Sequence, residues 1–208
     1  MKILIFIILV TGVIFSQGFD VTATGKKKFT FTTDGDRNQI RFISKAPFED
    51  IDGVVTDLYG TVEFDVKSPQ TMKGNIVVKV AAMRTGINLR DQHLRGSEWL
   101  DANQYPYISF DINSFTLKEK ESGNKLIGVA TGNFTMRGIT KSLNADVELI
   151  YLDESEKTRE RAPGDLLGVK AKFSVKLSEY NVKNVVIGQK VAETISIEVS
   201  MVGFSGTR

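Results

Sequence analysis

Apolar and polar side chains alternate along nearly the whole chain, and a period of two residues fits half-buried antiparallel strands rather than helices. Four stretches show it cleanly. Leu58, Val62, Phe64 and Val66 share a face with Gly60, and Ile76, Val78 and Val80 repeat the pattern. Val169, Ala171, Phe173, Val175 and Leu177 alternate with Lys170, Lys172, Ser174 and Lys176, as Ile195, Ile197, Val199 and Met201 do with Ser196, Glu198 and Ser200. Weaker alternation covers 29–33, 39–44, 107–117, 125–134 and 143–151. The breaks carry turn chemistry at Asp34-Gly35-Asp36, Ser68-Pro69, Ser122-Gly123-Asn124, Arg137-Gly138 and Pro163-Gly164. Roughly eight or nine strands with one wet face each predict an all-β domain. Periodicity alone does not choose between a sandwich and a barrel.

The residues that are missing narrow the chemistry. Among 208 residues there is no Cys and a single His, which excludes disulfide scaffolds, thiolate metal sites, cysteine nucleophiles and multi-histidine metal centres. With 27 Lys+Arg against 25 Asp+Glu, the formal net charge of +2 offers no field for nucleic acid. No nucleophile elbow, zinc-protease helix, phosphate loop or dinucleotide fingerprint is present, so no catalytic residue is assigned and the chain is expected not to be an enzyme. Gly128 and Gly132 fall on a strand pattern, where they ease curvature rather than bind phosphate.

Met1-Lys2, an apolar run interrupted only by Thr11 and Gly12, and then Ser16-Gln17-Gly18 follow the order of a secretory signal peptide. Residues 1–18 are read as the cleaved signal, with the cut near Ser16 or Gly18, and 19–208 as a single domain. The apolar run is short for a membrane span, and no transmembrane segment is expected after cleavage. The protein is therefore expected to be periplasmic or secreted.

One segment departs from the strand pattern. Asn88 is placed to cap a short helix over 89–95, which Gly96 ends, and Trp99-Leu100 then carries bulky apolar surface toward the next strand. The mixed-charge stretch 153–161 reads as a solvated loop, and Lys26-Lys27-Lys28 as a solvated lead-in to the first strand.

The stretch Leu89-Arg90-Asp91-Gln92-His93-Leu94-Arg95-Gly96-Ser97-Glu98-Trp99-Leu100-Asp101, followed by Tyr105-Pro106-Tyr107-Ile108-Ser109-Phe110, resembles the signature of the YceI-like lipid/polyisoprenoid-binding proteins. Further agreement runs from Ile40-Arg41-Phe42 to Gly60, through Gly132-Asn133-Phe134-Thr135-Met136-Arg137-Gly138-Ile139-Thr140-Lys141, and at Leu177-Ser178-Glu179-Tyr180 with 191–199. The resemblance implies an eight-stranded antiparallel lipocalin-like β-barrel over 19–208, with a short helix between strands near 88–100 and an apolar interior for a long isoprenoid chain. Two positions differ: Arg37-Asn38 stands where many members carry His-Ser, and Leu177 where an Arg is common.

In such a barrel the lining and the core are one set of side chains, and Phe42, Phe64, Val78, Trp99, Phe110, Phe134 and Phe173 are the expected lipid-binding wall. His93 either faces the barrel on the side of Leu89 and hydrogen-bonds there, or stands at the cavity mouth against a ligand's polar end. Arg90 either joins Asp91 in pinning the helix or presents its planar fork of donors to the ligand's head group at that mouth. Asp91 and His93 point away from each other on a helix, so no metal site is expected. No cofactor is expected beyond a bound isoprenoid. The expected function is an exported binding protein that carries, stores or sequesters a polyisoprenoid or similar long apolar lipid. The alternatives are an enzyme modifying such a lipid, or a cavity-less stress-related surface protein acting through its outer face. Edge pairing or barrel-end contacts would make a homodimer.

Overall fold

Among the described residues alternation becomes ten strands, all paired antiparallel in one sheet. The computed structural model describes residues 18–33 and 38–206, so the expected signal peptide, apart from Gly18, lies outside the described residues. The strands are β1 (Lys26–Phe31), β2 (Gln39–Lys45), β3 (Asp50–Val55), β4 (Leu58–Asp65), β5 (Ser68–Lys79), β6 (Tyr107–Ser122), β7 (Lys125–Met136), β8 (Ile139–Leu152), β9 (Leu166–Lys176) and β10 (Thr194–Phe204). Helix α1 (Asn88–Arg95) lies between β5 and β6, and the short α2 (Glu156–Arg159) between β8 and β9.

The hydrogen-bonded order is β1-β4-β5-β6-β7-β8-β9-β10-β2-β3, and Thr30 paired with Phe204 joins β1 back to β10. That pairing closes an eight-stranded barrel, with β2 and β3 added as a hairpin. Both β1 and β2 run antiparallel to β10: Gln39–Ile43 of β2 take its first half, and β1 meets its last residue. A bridge between Val54 and Arg84 ties β3 to the segment after β5.

Register separates the two barrel ends. At the base lie the Lys26–Asp65, Asp65–Ser68, Ser122–Lys125 and Leu152–Leu166 pairs. At the other end, the top, lie Leu58–Val78, Lys79–Tyr107, Met136–Ile139 and Lys176–Thr194. Arg137 and Gly138, at φ 50° and 71°, form the tight two-residue turn whose twist suits a β7–β8 hairpin.

The base is plugged by aromatics. Phe19, Phe29, Phe64 and Tyr151 are fully buried, with Phe29 stacked on Phe64 at 5.6 Å and set edge-on to Tyr151 at 5.6 Å. Tyr151 donates its hydroxyl to Asp165 Oδ2 at 2.7 Å, where Lys27 Nζ also lies at 2.9 Å. Burial opposes ionisation of Asp165, but hydrogen bonds from Tyr151, Lys27 and the Glu154 N–H outweigh it and hold the carboxyl below its ordinary pKa. Burial, reinforced by Asp165, pushes the Tyr151 phenol far up. Lys67 Nζ donates to the carbonyls of Phe19 and Val21, and the N–H groups of Thr22 and Ala23 donate to Asp153, so the N-terminal segment is strapped across the base.

Several expectations need correction. Strand β3 adds to the strands that the alternation predicts: its inward set is Ile51, Gly53 and Val55, and a missing side chain breaks the apolar signal. A Cβ on Gly53 would lie 2.0 Å from the Phe42 ring, because Phe42 pairs with Gly53 and fills the space. Strand β5 begins at Ser68 rather than near Ile76; the turn is Val66-Lys67, and Pro69 sits near the strand start, where a lost donor is tolerated. The lysine run is not a lead-in but opens β1, where Lys26 pairs with Glu63 and Lys27 with Asp165. Asn88 does not cap α1. The cap residue is Ile87, and Asp91 satisfies the preceding loop instead. The 153–161 stretch contains α2, started by a Ser155–Thr158 capping box, and Asp153 serves the strap.

Candidate ligand cavity

Above the plug the inward faces do not fill the barrel, and a cavity of about 90 Å³ remains. It exists where small side chains meet: Ala130 of β7 pairs directly with Ala145 of β8, and Ala171 of β9 pairs with Val147. Leu149 and Leu167 floor the cavity. Toward the top its wall is aromatic, with Phe110 stacked on Phe173 at 6.4 Å and Phe134 edge-on to Phe173 at 5.7 Å and to Tyr180 at 5.6 Å. Among the described residues every lining side chain that faces the cavity is apolar, Ser109 turning its hydroxyl to the outer face between Ile108 and Phe110, and no titratable group lines it.

The structure gathers Val78, Phe110, Phe134 and Phe173 around this cavity. It places Phe64 beneath, in the plug, and Phe42 beside Gly53. Trp99 is half-buried in the 96–106 segment, packed against the core, and Arg137 Nη1 donates to the carbonyls of Ser97 and Trp99. The alanines were missed. Each stands at an inward position of an alternating strand, but only the cross-strand register brings them face to face.

Helix α1 does not turn its His into the barrel. His93 and Leu89 are both exposed, while Asp91 is buried and accepts hydrogen bonds from the N–H and the hydroxyl of Thr85, each at 2.7 Å. A helix that buries residue 91 turns 93 and 89 away by its own geometry. Burial opposes ionisation of Asp91, but the Thr85 hydrogen bonds and the nearby Arg95 and Arg84 charges together hold it below its ordinary pKa. Arg90 Nε donates to Thr85 Oγ1 at 3.1 Å, and its guanidinium lies 3.7 Å from Glu49, so Arg90 pins the helix to the loop before it and to the β2–β3 turn. At the two unusual positions, Asn38 bridges Thr32 and Val202 with its amide, and Leu177 is buried in the core; Arg37 lies outside the described residues.

Among the described residues no group of three or more His, Cys, Asp or Glu side chains is arranged to hold a metal ion, and no helix is long and apolar enough to cross a membrane. The outer wall carries ion pairs, among them Arg41 between Asp52 and Glu198, and Lys118 with Asp146.

The sequence matches the YceI-like domain over residues 31–203. The chain belongs to the YceI-like family. It is 30% identical to Protein YceI of Shigella flexneri and of Escherichia coli O157:H7 over 148 residues, which cover 70% of this chain and 72% of each relative. Burkholderia cenocepacia BcnA shares the fold at TM-score 0.64 and 19% identity, covering 80% of this chain and 96% of BcnA. A polyisoprenoid binding domain from Saccharophagus degradans implicated in plant cell wall breakdown superposes at TM-score 0.60 and 10% identity, over 88% of this chain and all of that domain (100%). The Campylobacter jejuni YCEI protein matches at TM-score 0.60 and 21% identity, over 77% of this chain and 88% of its own. A YceI-like domain thus accounts for the closed barrel, its hairpin and the helix across the top.

Proposed function

We propose that this YceI-like protein is an exported carrier that holds a polyisoprenoid or similar long apolar lipid inside its barrel. The observation that carries the reading is an interior cavity walled by carbon, whose described lining residues include no charged side chain. A methyl-branched chain with almost nothing to hydrogen-bond suits such a wall, and burial at roughly 25 cal/mol per Å² makes polar contacts unnecessary for tight binding. The polyisoprenoid binding domain of Saccharophagus degradans supports the ligand class through its shared fold. The 90 Å³ void is small beside the roughly 300–1,000 Å³ of drug-sized pockets, so a long chain enters by turning Phe110, Phe134, Phe173 and Met72 to other rotamers.

Export rests on the order of Met1-Lys2, the apolar run and Ser16-Gln17-Gly18. Cleavage near Gly18 leaves the plug residue Phe19 in the mature chain. Protein made in its native host should yield lipid on organic extraction, identified by mass spectrometry, and N-terminal sequencing should begin near Gly18. Repeated recovery of empty protein, under conditions where added polyprenol does not bind either, would overturn the reading.

A further inference from the structure

Seven large apolar side chains are exposed among the described residues, and four of them gather at the top of the barrel: Phe48 (76% exposed), Ile87 (53%), Leu89 (61%) and Val185 (91%). The segments that carry them touch. The Phe48 N–H donates to the Gln189 carbonyl at 3.4 Å, Glu49 lies 3.7 Å from Arg90, and Asn184 Nδ2 donates to Glu98 at 3.5 Å. The β2–β3 turn, α1 and the loop after Tyr180 therefore form one apolar rim. At the base the aromatics are fully buried, and only Leu152 among the large exposed residues lies there. Tyr59 and Tyr107 are set edge-on to each other at 6.5 Å and form a separate pair.

Charge on the rim is unevenly used. Glu49 pairs with Arg90, Asp50 with Lys45 and Glu179 with Lys141, and Glu98 and Glu193, in no described ion pair, accept hydrogen bonds from Asn184 Nδ2 and the Ser178 N–H, whereas no described ion pair engages Lys183 or Lys190, exposed on either side of Val185. Exposed apolar tips flanked by unneutralised lysines are complementary to an anionic bilayer, whose acyl boundary takes the first and whose phosphates take the second.

Resting on the reading that the barrel carries an apolar lipid, we propose that this rim docks the protein on the surface of an anionic phospholipid bilayer. Phe48, Ile87, Leu89 and Val185 enter the interface and Lys183 and Lys190 meet lipid phosphates. The purpose follows from the cargo: a long apolar chain exposed to water is penalised for every carbon, so direct passage between bilayer and barrel avoids that exposure. The top is the end suited to exchange, since loops cover it while the base is sealed by the strapped plug.

Flotation of the mature protein with phosphatidylcholine vesicles, with and without phosphatidylglycerol, tests the proposal. The wild-type protein should float with the anionic vesicles. The Leu89→Asp/Val185→Asp pair should weaken this on the order of tenfold, and Lys183→Gln/Lys190→Gln should remove the dependence on phosphatidylglycerol. All four changed positions are exposed, so circular dichroism should show folded protein and resident lipid should be retained. Absence of wild-type flotation overturns the proposal, as does flotation indifferent to these changes. A concentration-dependent dimer abolished by the same substitutions also overturns it, by making the rim a self-contact. If extraction yields no lipid but the rim variants still lose vesicle binding, the docking surface stands and the carrier reading falls.

Discussion

Replacing Ala145 by Leu aims three added carbon atoms into the cavity. Ala145 is 2% exposed and faces Ala130 across the β7–β8 pair, so the added atoms enter the void rather than a packed wall. At about 24 cal/mol per Å³, filling a void of 90 Å³ recovers at most about 2 kcal/mol. For a chain of this size that is a rise in Tm of about 4–8 °C in protein stripped of lipid. The same atoms occupy the space a ligand needs. Wild-type protein should melt higher loaded than stripped, because a ligand that binds only the folded state stabilises it by linkage, and that gap should close in the variant. The assay is differential scanning calorimetry on extracted and polyprenol-loaded samples, with lipid counted by mass spectrometry. A stabilised variant that retained the wild-type lipid content would refute the reasoning, since the cavity would then be a packing defect unrelated to binding.

Four further perturbations test other parts of the molecule. Tyr151→Phe removes a buried hydrogen bond to a charged acceptor and should cost about 1.5–3 kcal/mol in urea unfolding. Because the pKa of folded Asp165 is depressed, its contribution is fully present above the ordinary carboxylate value of about 3.9 and is lost as pH falls through the folded value; urea midpoints at about pH 7 and about pH 3 should differ less in Asp165→Asn than in wild type. Gly53→Ala should destabilise by about 1–3 kcal/mol through collision with Phe42, and Phe42→Ala in the same chain should relieve part of that cost, which a double-mutant cycle measures. His93→Ala should leave stability within about 0.5 kcal/mol of wild type, because the side chain is exposed and away from the cavity wall.

How far the sequence carried can be read from particular elements. The strands β4, β9 and β10 stand out because their inward positions carry apolar side chains and most of their outward positions polar ones, so the alternation survives in one dimension. Strand β3 was lost because its central inward position is Gly53, and the apolar bulk at that place comes from Phe42 on the neighbouring strand. The same reasoning explains the cavity. Phe110, Phe134 and Phe173 announce an apolar interior, but the void depends on which alanines share a level, a property of register. The helix was found and its orientation was not: Asp91 at its centre is the buried residue, held by Thr85, and an acid inside a polar run gives no warning of burial. The Tyr151–Asp165–Lys27 cluster joins three distant strand ends and leaves no trace in local pattern.

The Thr30–Phe204 pairing has a consequence for the chain before it is complete. The strand that must receive β10 is the first to be made and the strand that delivers closure is the last, so no partial chain can close its sheet. Until then β1 and β9, which β10 will join, each present unpaired backbone donors and acceptors, a template for another copy of the same chain. Contacts of such long sequence separation also form slowly. The most vulnerable moment for this protein is therefore the interval between the emergence of Lys26 and that of Phe204, and any factor that shields a free strand edge would act there.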